Sequence, residues 1–286
     1  EYSTFNKINL EDWSVPDSDQ HITAAVEISL EGARKILAAT SGHGIYVLDA
    51  ETHDIDHDTQ NIITRMLPSK YVSRLFKDSR NRLWITTEAG GVDVVDLNGM
   101  TEVSDIWSSG MTRESSDMIH AITEDGTTGN IYLGTSNHGI LVWDSGTGRI
   151  RRSKGETETG FSVMSLLRNN IVTRYGDNTW LVGFENHGIR LFNAESESIS
   201  DIYISNVRHD ISNWKVQCLM EDNQGNVWVG AIQTGVMIIP KSMFGFRHID
   251  FNKTENGGHG NISVTSVISD EERDCLWVGT DGGGVL

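Results

Sequence analysis

No stretch of the chain approaches the ~20 consecutive apolar residues that a membrane-crossing helix needs; one of the longest apolar runs is Gly235-Val236-Met237-Ile238-Ile239. A transmembrane helix within these 286 residues is therefore excluded. Cysteine is nearly absent, with only Cys218 and Cys275. Two cysteines cannot build a disulfide framework, which needs dense, even usage in a short chain. One bridge between them stays open, and buried free thiols are the expected state. Proline occurs three times against 29 glycines, so tight turns rather than stiff linkers punctuate the chain. Positive charge is also short: 23 Lys and Arg stand against 40 Asp and Glu, for a formal net charge of −17. Such a chain repels phosphates and anionic headgroups, which excludes nucleic acid and lipid surfaces as direct partners and favours neutral or cationic ligands. Glu1 opens the sequence with neither an initiator Met nor an apolar leader, as expected of a chain whose signal peptide has been removed.

What the chain has instead is repetition. An apolar strand, a short Gly-bearing turn and a second apolar strand recur six times. The first copy is Ile36-Leu37-Ala38-Ala39-Thr40 then Gly44-Ile45-Tyr46-Val47-Leu48-Asp49, and the second is Leu83-Trp84-Ile85-Thr86-Thr87 then Gly91-Val92-Asp93-Val94-Val95-Asp96. The last, Leu276-Trp277-Val278-Gly279-Thr280 then Gly284-Val285-Leu286, stops in mid-strand. The turn glycines Gly44, Gly91, Gly139, Gly188, Gly235 and Gly284 lie 47, 48, 49, 47 and 49 residues apart. An inner strand precedes each Trp strand across a polar turn: Val72 to Asp78, Met118 to Asp125, Val163 to Arg168, Val216 to Asp222 and Val264 to Asp270. An outer strand such as Phe246-Arg247-His248-Ile249 follows, and no helical period of useful length is evident.

Four short antiparallel strands every ~40–50 residues are the mark of propeller blades. The expected fold is an all-β propeller of four-stranded blades, about six of them visible, in one domain over residues 1–286. Phe5-Asn6-Lys7-Ile8 resembles an outer strand, so the chain reads either as a six-bladed ring zipped by that strand or as a window from a longer array. The stop at Leu286 favours the window.

Spacing tests the propeller families. Only Trp143-Asp144 has the Trp-Asp ending of a WD repeat, Trp84 precedes rather than follows the Gly90-Gly91 doublet that a kelch repeat would need, and Asp222 and Trp228 are six apart where an Asp box needs five. What remains is Asp-x-x-Gly-Asn-hydrophobic-Trp-hydrophobic-Gly-Thr, carried best by Asp222 to Gly230 and Leu276 to Val285. This pattern closely resembles the two-component regulator propeller repeat. The fourth copy shifts Trp180 by one place and lacks the Asp, and the first lacks both Asp and Trp. The resemblance implies a fragment of the periplasmic ectodomain of a hybrid two-component sensor histidine kinase. It implies further that the full ectodomain pairs as a homodimer, detects oligosaccharides or other small molecules, and meets the membrane only through a transmembrane helix outside this chain. No catalytic residue and no cofactor is implied here.

Propeller wiring places the second-to-third turns and the blade-to-blade connections on one face, where propellers usually bind ligands. Trp84, Trp180, Trp228 and Trp277 on second strands and Trp143 on a third strand are expected in the core between blades. Trp13, Trp107 and Trp214 fall in or beside the connections, where a flat aromatic face could stack on a pyranose ring; capping the blade core is the plainer role. Arg113, Arg208, His209 and His259 share those connections and suit sugar hydroxyls or a uronate. His43, His138 and His187 precede turn glycines of blades set around the ring, too far apart for a zinc ion whose ligands lie within ~2.1 Å of one point, so each imidazole is expected to bond its own turn. In His53-Asp54-Ile55-Asp56-His57-Asp58, read as an outer strand, residues i and i+4 stand ~13 Å apart, again no metal site. No elbow, zincin or phosphate-loop motif occurs. A secreted carbohydrate-active propeller enzyme and a protein-docking scaffold remain the alternative classes.

Overall fold

The computed structural model describes residues 21–103, 106, 117–154, 162–168, 178–202, 213–245, 263–270, 273, 275–281 and 284–285. They fall into two compact units, Glu1–Phe244 and Gly245–Leu286.

The first unit holds five antiparallel sheets, strands in sequential order. The first sheet is β1 (Ile22–Leu30), β2 (Ala33–Thr40) and β3 (Gly44–Asp49). The second is β4 (Val72–Lys77), β5 (Arg82–Thr87), β6 (Val92–Asp96) and β7 (Thr101–Glu102). The third comprises β8 (Ile119–Glu124), β9 (Ile131–Thr135), β10 (Ile140–Asp144) and β11 (Arg149–Arg152). The fourth comprises β12 (Val163–Arg168), β13 (Thr179–Phe184), β14 (Ile189–Asn193) and β15 (Ser198–Asp201). The fifth has β16 (Val216–Glu221), β17 (Val227–Ala231) and β18 (Gly235–Ile239). These are propeller blades; the inner strands β4, β12 and β16 start where the repeat places them and β8 starts one residue later. The second unit is one three-stranded sheet, β19 (Ser263–Asp270), β20 (Cys275–Asp281) and β21 (Gly284–Val285). The outer strands read at Phe5 to Ile8 and Phe246 to Ile249 lie outside the described residues.

Repetition has a backbone cause. Gly44, Gly91, Gly139, Gly188, Gly235 and Gly284 all have φ between +62° and +88°, the region where a side chain collides with its own carbonyl. The residue before the turn seals it: Thr40, Thr135 and Thr280 donate their hydroxyls to the carbonyls of Gly44, Gly139 and Gly284 at 2.9, 3.0 and 2.8 Å. The turn amides then reach the next blade, Gly44 N to Lys70 O at 2.8 Å and Gly188 N to Trp214 O at 3.1 Å.

The core of the first unit lies between sheets, because strand alternation gives each sheet two apolar faces. Trp84, Val92 and Val94 of the second blade meet Ile119, Leu133 and Trp143 of the third. Tyr132 and Val142 of the third meet Val163, Trp180 and Phe192 of the fourth. The repeat Asp is the anchor of this packing. Asp78 Oδ2 accepts from Trp84 Nε1 at 2.8 Å, Asp222 Oδ2 from Trp228 Nε1 at 2.9 Å, and Asp270 Oδ2 from Trp277 Nε1 at 3.1 Å. The same carboxylates close the preceding turn by accepting backbone amides, Arg80 and Arg82 on Asp78, Gln224 and Asn226 on Asp222. In the fourth blade, where the motif lacks its Asp, Trp180 Nε1 is buried with no hydrogen-bond partner among the described residues. Trp84→Phe is therefore expected to cost about 2 kcal/mol more than Trp180→Phe in chemical unfolding, since only the first leaves a buried acceptor short of its donor; equal costs would refute the anchor role.

Three expectations need correction. The run His53 to Asp58 is no outer strand. After an isolated Leu48–Ile55 bridge, Asp56 caps a helix, α1 (His57–Met66), by accepting from Thr59 N at 3.0 Å and Thr59 Oγ1 at 2.8 Å. The helix buries Ile63 against the first two blades and stops ahead of Pro68, because proline disfavours a helical residue before it. Cys218 and Cys275 are free but exposed rather than buried. Trp277 is 45% exposed, since a single sheet has no second layer of its own to cover that face, and Trp228 is half-buried; Trp84, Trp143 and Trp180 are in the core as expected.

Candidate functional site

Every inner strand carries the same irregularity. Pairing of inner with second strand slips between Ile22 and Ala24, Val72 and Arg74, Ile119 and Ala121, Val163 and Ser165, Val216 and Cys218, and Val264 and Ser266. The extra residues are Thr23, Ser73, His120, Met164, Gln217 and Thr265. A bulge re-aims its side chain and shifts the alternation beyond it, which is why bulges gather at barrel rims and beside binding sites.

In the first unit these bulges sit at the end of the inner strands where the second-to-third turns emerge. Their side chains tie strand to turn or blade to blade. Ser73 Oγ lies 2.7 Å from Thr86 Oγ1, His120 Nε2 lies 2.8 Å from Ser136 Oγ, and Thr23 Oγ1 donates to Val72 O at 2.7 Å. Arg74, next to the bulge, donates Nε to His120 O at 3.0 Å and Nη1 to Ser73 O at 2.9 Å. Burial first, and the neighbouring Arg74 charge second, hold His120 below the ordinary imidazole value, against the opposing pull of Glu185. At neutral pH its ring is uncharged and serves as a hydrogen-bonding group.

The inner strands β4, β8, β12 and β16 line an open channel with a cavity of about 200 Å³. Arg74, His120, Met164, Ser165, Gln217 and Cys218 are among its lining residues. A second cleft, of about 600 Å³, lies where the β1–β2 turn, α1 and the turns of the second blade meet. Lys35 is the one cation among the described residues that line it; it lies 3.2 Å from both Asp49 and Asp56, and the hydrogen bonds its ammonium donates to Asp56 and Asp49 raise its pKa. With Glu31, Asp56 and Asp58 also in its lining, that cleft keeps the acidic sign of the chain as a whole. The cavity between the inner strands carries Arg74 instead and gathers side chains from four blades, which makes it the better candidate for a ligand.

Sequence reasoning reached little of this arrangement. Trp13, Trp107, Arg113, Arg208, His209 and His259 lie outside the described residues. Trp214 is half-buried and packs against the core shared by the fourth and fifth blades, beside Leu181, Ile189 and Val216. His138 does not bond its own turn through its ring; Nδ1 meets Asp117 Oδ2 at 2.8 Å. Its backbone amide does hold the turn, donating to Thr135 Oγ1 at 3.0 Å. Arg74 and His120 stand on inner strands at positions that no single residue type fills from blade to blade, so the repeat carries no signal for them. Among the described residues no group of His, Cys, Asp and Glu could hold a metal ion, and no helix is long and apolar enough to cross a membrane.

Comparisons with known proteins agree with the repeat. The family model of the two-component regulator propeller matches residues 66–89 and 211–233. No curated protein matches the chain. Among solved structures, the chain is similar to the extracellular domain described for the hybrid two component system BT3049 from B. thetaiotaomicron, with 21% identity, TM-score 0.60, and coverage of 92% of this chain and 32% of that one. The corresponding domain of BT4673 from the same organism gives 16% identity and TM-score 0.57 over 90% of this chain and 32% of that one. PorZ, a surface component of the type-IX secretion system of Porphyromonas gingivalis, gives 12% identity and TM-score 0.57 over 89% of this chain and 36% of that one. The chain thus spans about a third of the length of these structures, and at such identities the likeness is one of fold.

Proposed function

From a chain that carries two-component regulator propeller repeats, we propose a ligand-sensing role: a non-enzymatic propeller of the periplasmic ectodomain of a hybrid two-component sensor histidine kinase. The ligand is an oligosaccharide, received on the face where the second-to-third turns and blade connections meet the channel. Trp13, Trp107 and Trp214 would supply stacking surfaces around it, and Arg113, Arg208, His209 and His259 would supply hydrogen bonds. Binding favours one arrangement of a homodimeric ectodomain over another, and that preference passes through a membrane helix outside this chain to the kinase. Such a relay is bounded by the ligand's differential affinity for the two arrangements.

The observation that carries the reading is the repeat match at residues 66–89 and 211–233. The ordered polar rim of the channel supports it. Glycan panels presented to the purified chain test it by thermal unfolding and product analysis together. At a hundredfold excess over Kd a ligand adds about 2.7 kcal/mol, which raises the midpoint by roughly 5 °C or more. One oligosaccharide class giving that shift with no product is the expected result. Glycan cleavage would make the chain an enzyme, and no shift with any glycan would remove the sensing role from this region.

A further inference from the structure

The channel cavity has a charge that the rest of the molecule would not suggest. With 40 acidic residues in the chain, no Asp or Glu among the described residues lines it, whereas Arg74 does. Arg34, Arg82, Arg151, Arg168, Arg190 and Arg273 each hold a carboxylate within 3.8 Å. Arg74, like Arg65, Arg80 and Arg152, has no ion pair among the described residues, and of these four Arg74 alone lines the cavity. Its Nε and Nη1 are committed to the carbonyls of His120 and Ser73, which fixes the guanidinium plane and leaves Nη2 to a ligand. A guanidinium so fixed presents a planar donor edge that suits a carboxylate better than a hydroxyl.

The surroundings define what such an anion would be attached to. A volume of about 150 Å³ holds a benzene ring, so about 200 Å³ has room for one six-membered ring. Neutral His120, the Ser165 hydroxyl and the Gln217 amide offer hydrogen bonds without a second charge. Ser165 Oγ accepts from Leu219 N at 3.1 Å, so its proton is free to be donated. Met164 adds an apolar, adaptable surface.

We infer that the channel between the second and fifth blades is a subsite for a single sugar-acid ring, a hexuronate whose carboxylate sits on Arg74. The inference rests on the oligosaccharide-sensing reading and sharpens it to acidic glycans, against the preference for neutral or cationic ligands that net charge alone suggests. Arg74 is the specificity-determining residue, and His120, Ser165 and Gln217 orient the ring.

Calorimetric titration of the purified chain with glucuronate and galacturonate, alongside glucose, galactose and inorganic sulfate, is the test. A uronate is expected to bind at least tenfold more tightly than its neutral parent, the value of one charge-assisted hydrogen bond. That affinity should fall as salt is raised, a readout that needs no variant. Arg74→Gln should lose tenfold or more and Arg74→Lys less, in proteins whose melting curves match the unmodified chain. Neutral sugars binding as well as uronates, or no effect of salt, overturns the inference; so does sulfate binding as tightly as a uronate, which marks a bare anion site. A neutral oligosaccharide panel run beside it keeps the two readings apart. Neutral glycans bound without uronates sink only the acid subsite, and silence across all saccharides sinks the sensing role with it.

Discussion

Gly134→Ala is expected to destabilise the first unit by about 3 kcal/mol, lowering its melting midpoint by roughly 6–10 °C. The reason is the distance between blades. A methyl group on Gly134 would stand 2.6 Å from Val163 Cγ1 and 2.8 Å from the Val163 carbonyl oxygen. Val163 opens the inner strand of the fourth blade, and its backbone cannot yield as the tip of a flexible side chain would. Gly183 meets Val216 of the fifth blade in the same way, at 2.5 Å, although there the nearest atoms belong only to a side chain. Gly134 and Gly183 thus give up their Cβ where the next inner strand begins, whereas at Gly230 and Gly279 a Cβ would crowd Cys218 and Ser266 of their own sheets. Gly99→Ala is the control. Its methyl would find nothing nearer than Thr101 Oγ1 at 3.5 Å, so the cost should stay within about 0.5 kcal/mol. Thermal melts of the three proteins decide the matter, and a Gly134→Ala variant as stable as Gly99→Ala would refute this account of blade packing. Hydrogen exchange adds the location, with faster exchange in β9 and β12 than in β4.

These distances also explain what the sequence made legible. Where a backbone constraint admits only one residue type, the repeat shows it: the turn glycines need φ above zero, and Gly134 and Gly183 need the missing Cβ. Trp84 and Asp78 recur with spacing because a hydrogen bond joins them. Constraints that many residues satisfy leave no mark. The bulge is filled by Thr23, Ser73, His120, Met164, Gln217 and Thr265, six positions with five residue types, since a bulge asks only for an extra residue. Cys218 follows the bulge directly, where the alternation of the strand changes phase, and its thiol is exposed rather than buried. The helix α1 hid for another reason. Its cap, Asp56 with Thr59 three residues on, stands inside a His- and Asp-rich run, and its apolar face is short: Ile62, Ile63 and Met66. The channel site stayed invisible because Arg74, His120, Ser165 and Gln217 come from four blades, and only closure of the sheets around one cavity brings them together.

Asp78→Ala should be more damaging still, costing about 3–5 kcal/mol, because it strands two groups that cannot find water. Asp78 is 1% exposed and accepts the indole N–H of Trp84, the Nε of Arg82 at 2.6 Å and the backbone amides of Arg80 and Arg82. Without it the Arg82 guanidinium remains beneath the blade, stacked 4.1 Å from the centre of the Trp143 ring, with its counter-charge gone. Trp143 belongs to the third blade and meets Trp84 edge to face at 5.6 Å, so the damage crosses the interface. Asp78→Asn keeps an acceptor for the indole and should recover part of the loss. Asp222 accepts the indole and turn amides of the fifth blade in the same way, with the Asn226 amide in place of an arginine and around a half-exposed Trp228, so its removal should cost less because water can replace the lost partner. There the consequence is clearest in acid. Hydrogen bonds from the Trp228 indole first, and from Asn226 next, lower the Asp222 carboxyl from 3.8 to about 2. A carboxyl whose folded value lies below its unfolded one stabilises the fold fully above pH ~4 and loses that contribution as pH falls to ~2. Acid titration of folding in Asp222→Asn should therefore be shallower than in the unmodified chain over that interval. Parallel acid curves would mean that the carboxylate does not anchor the tryptophan.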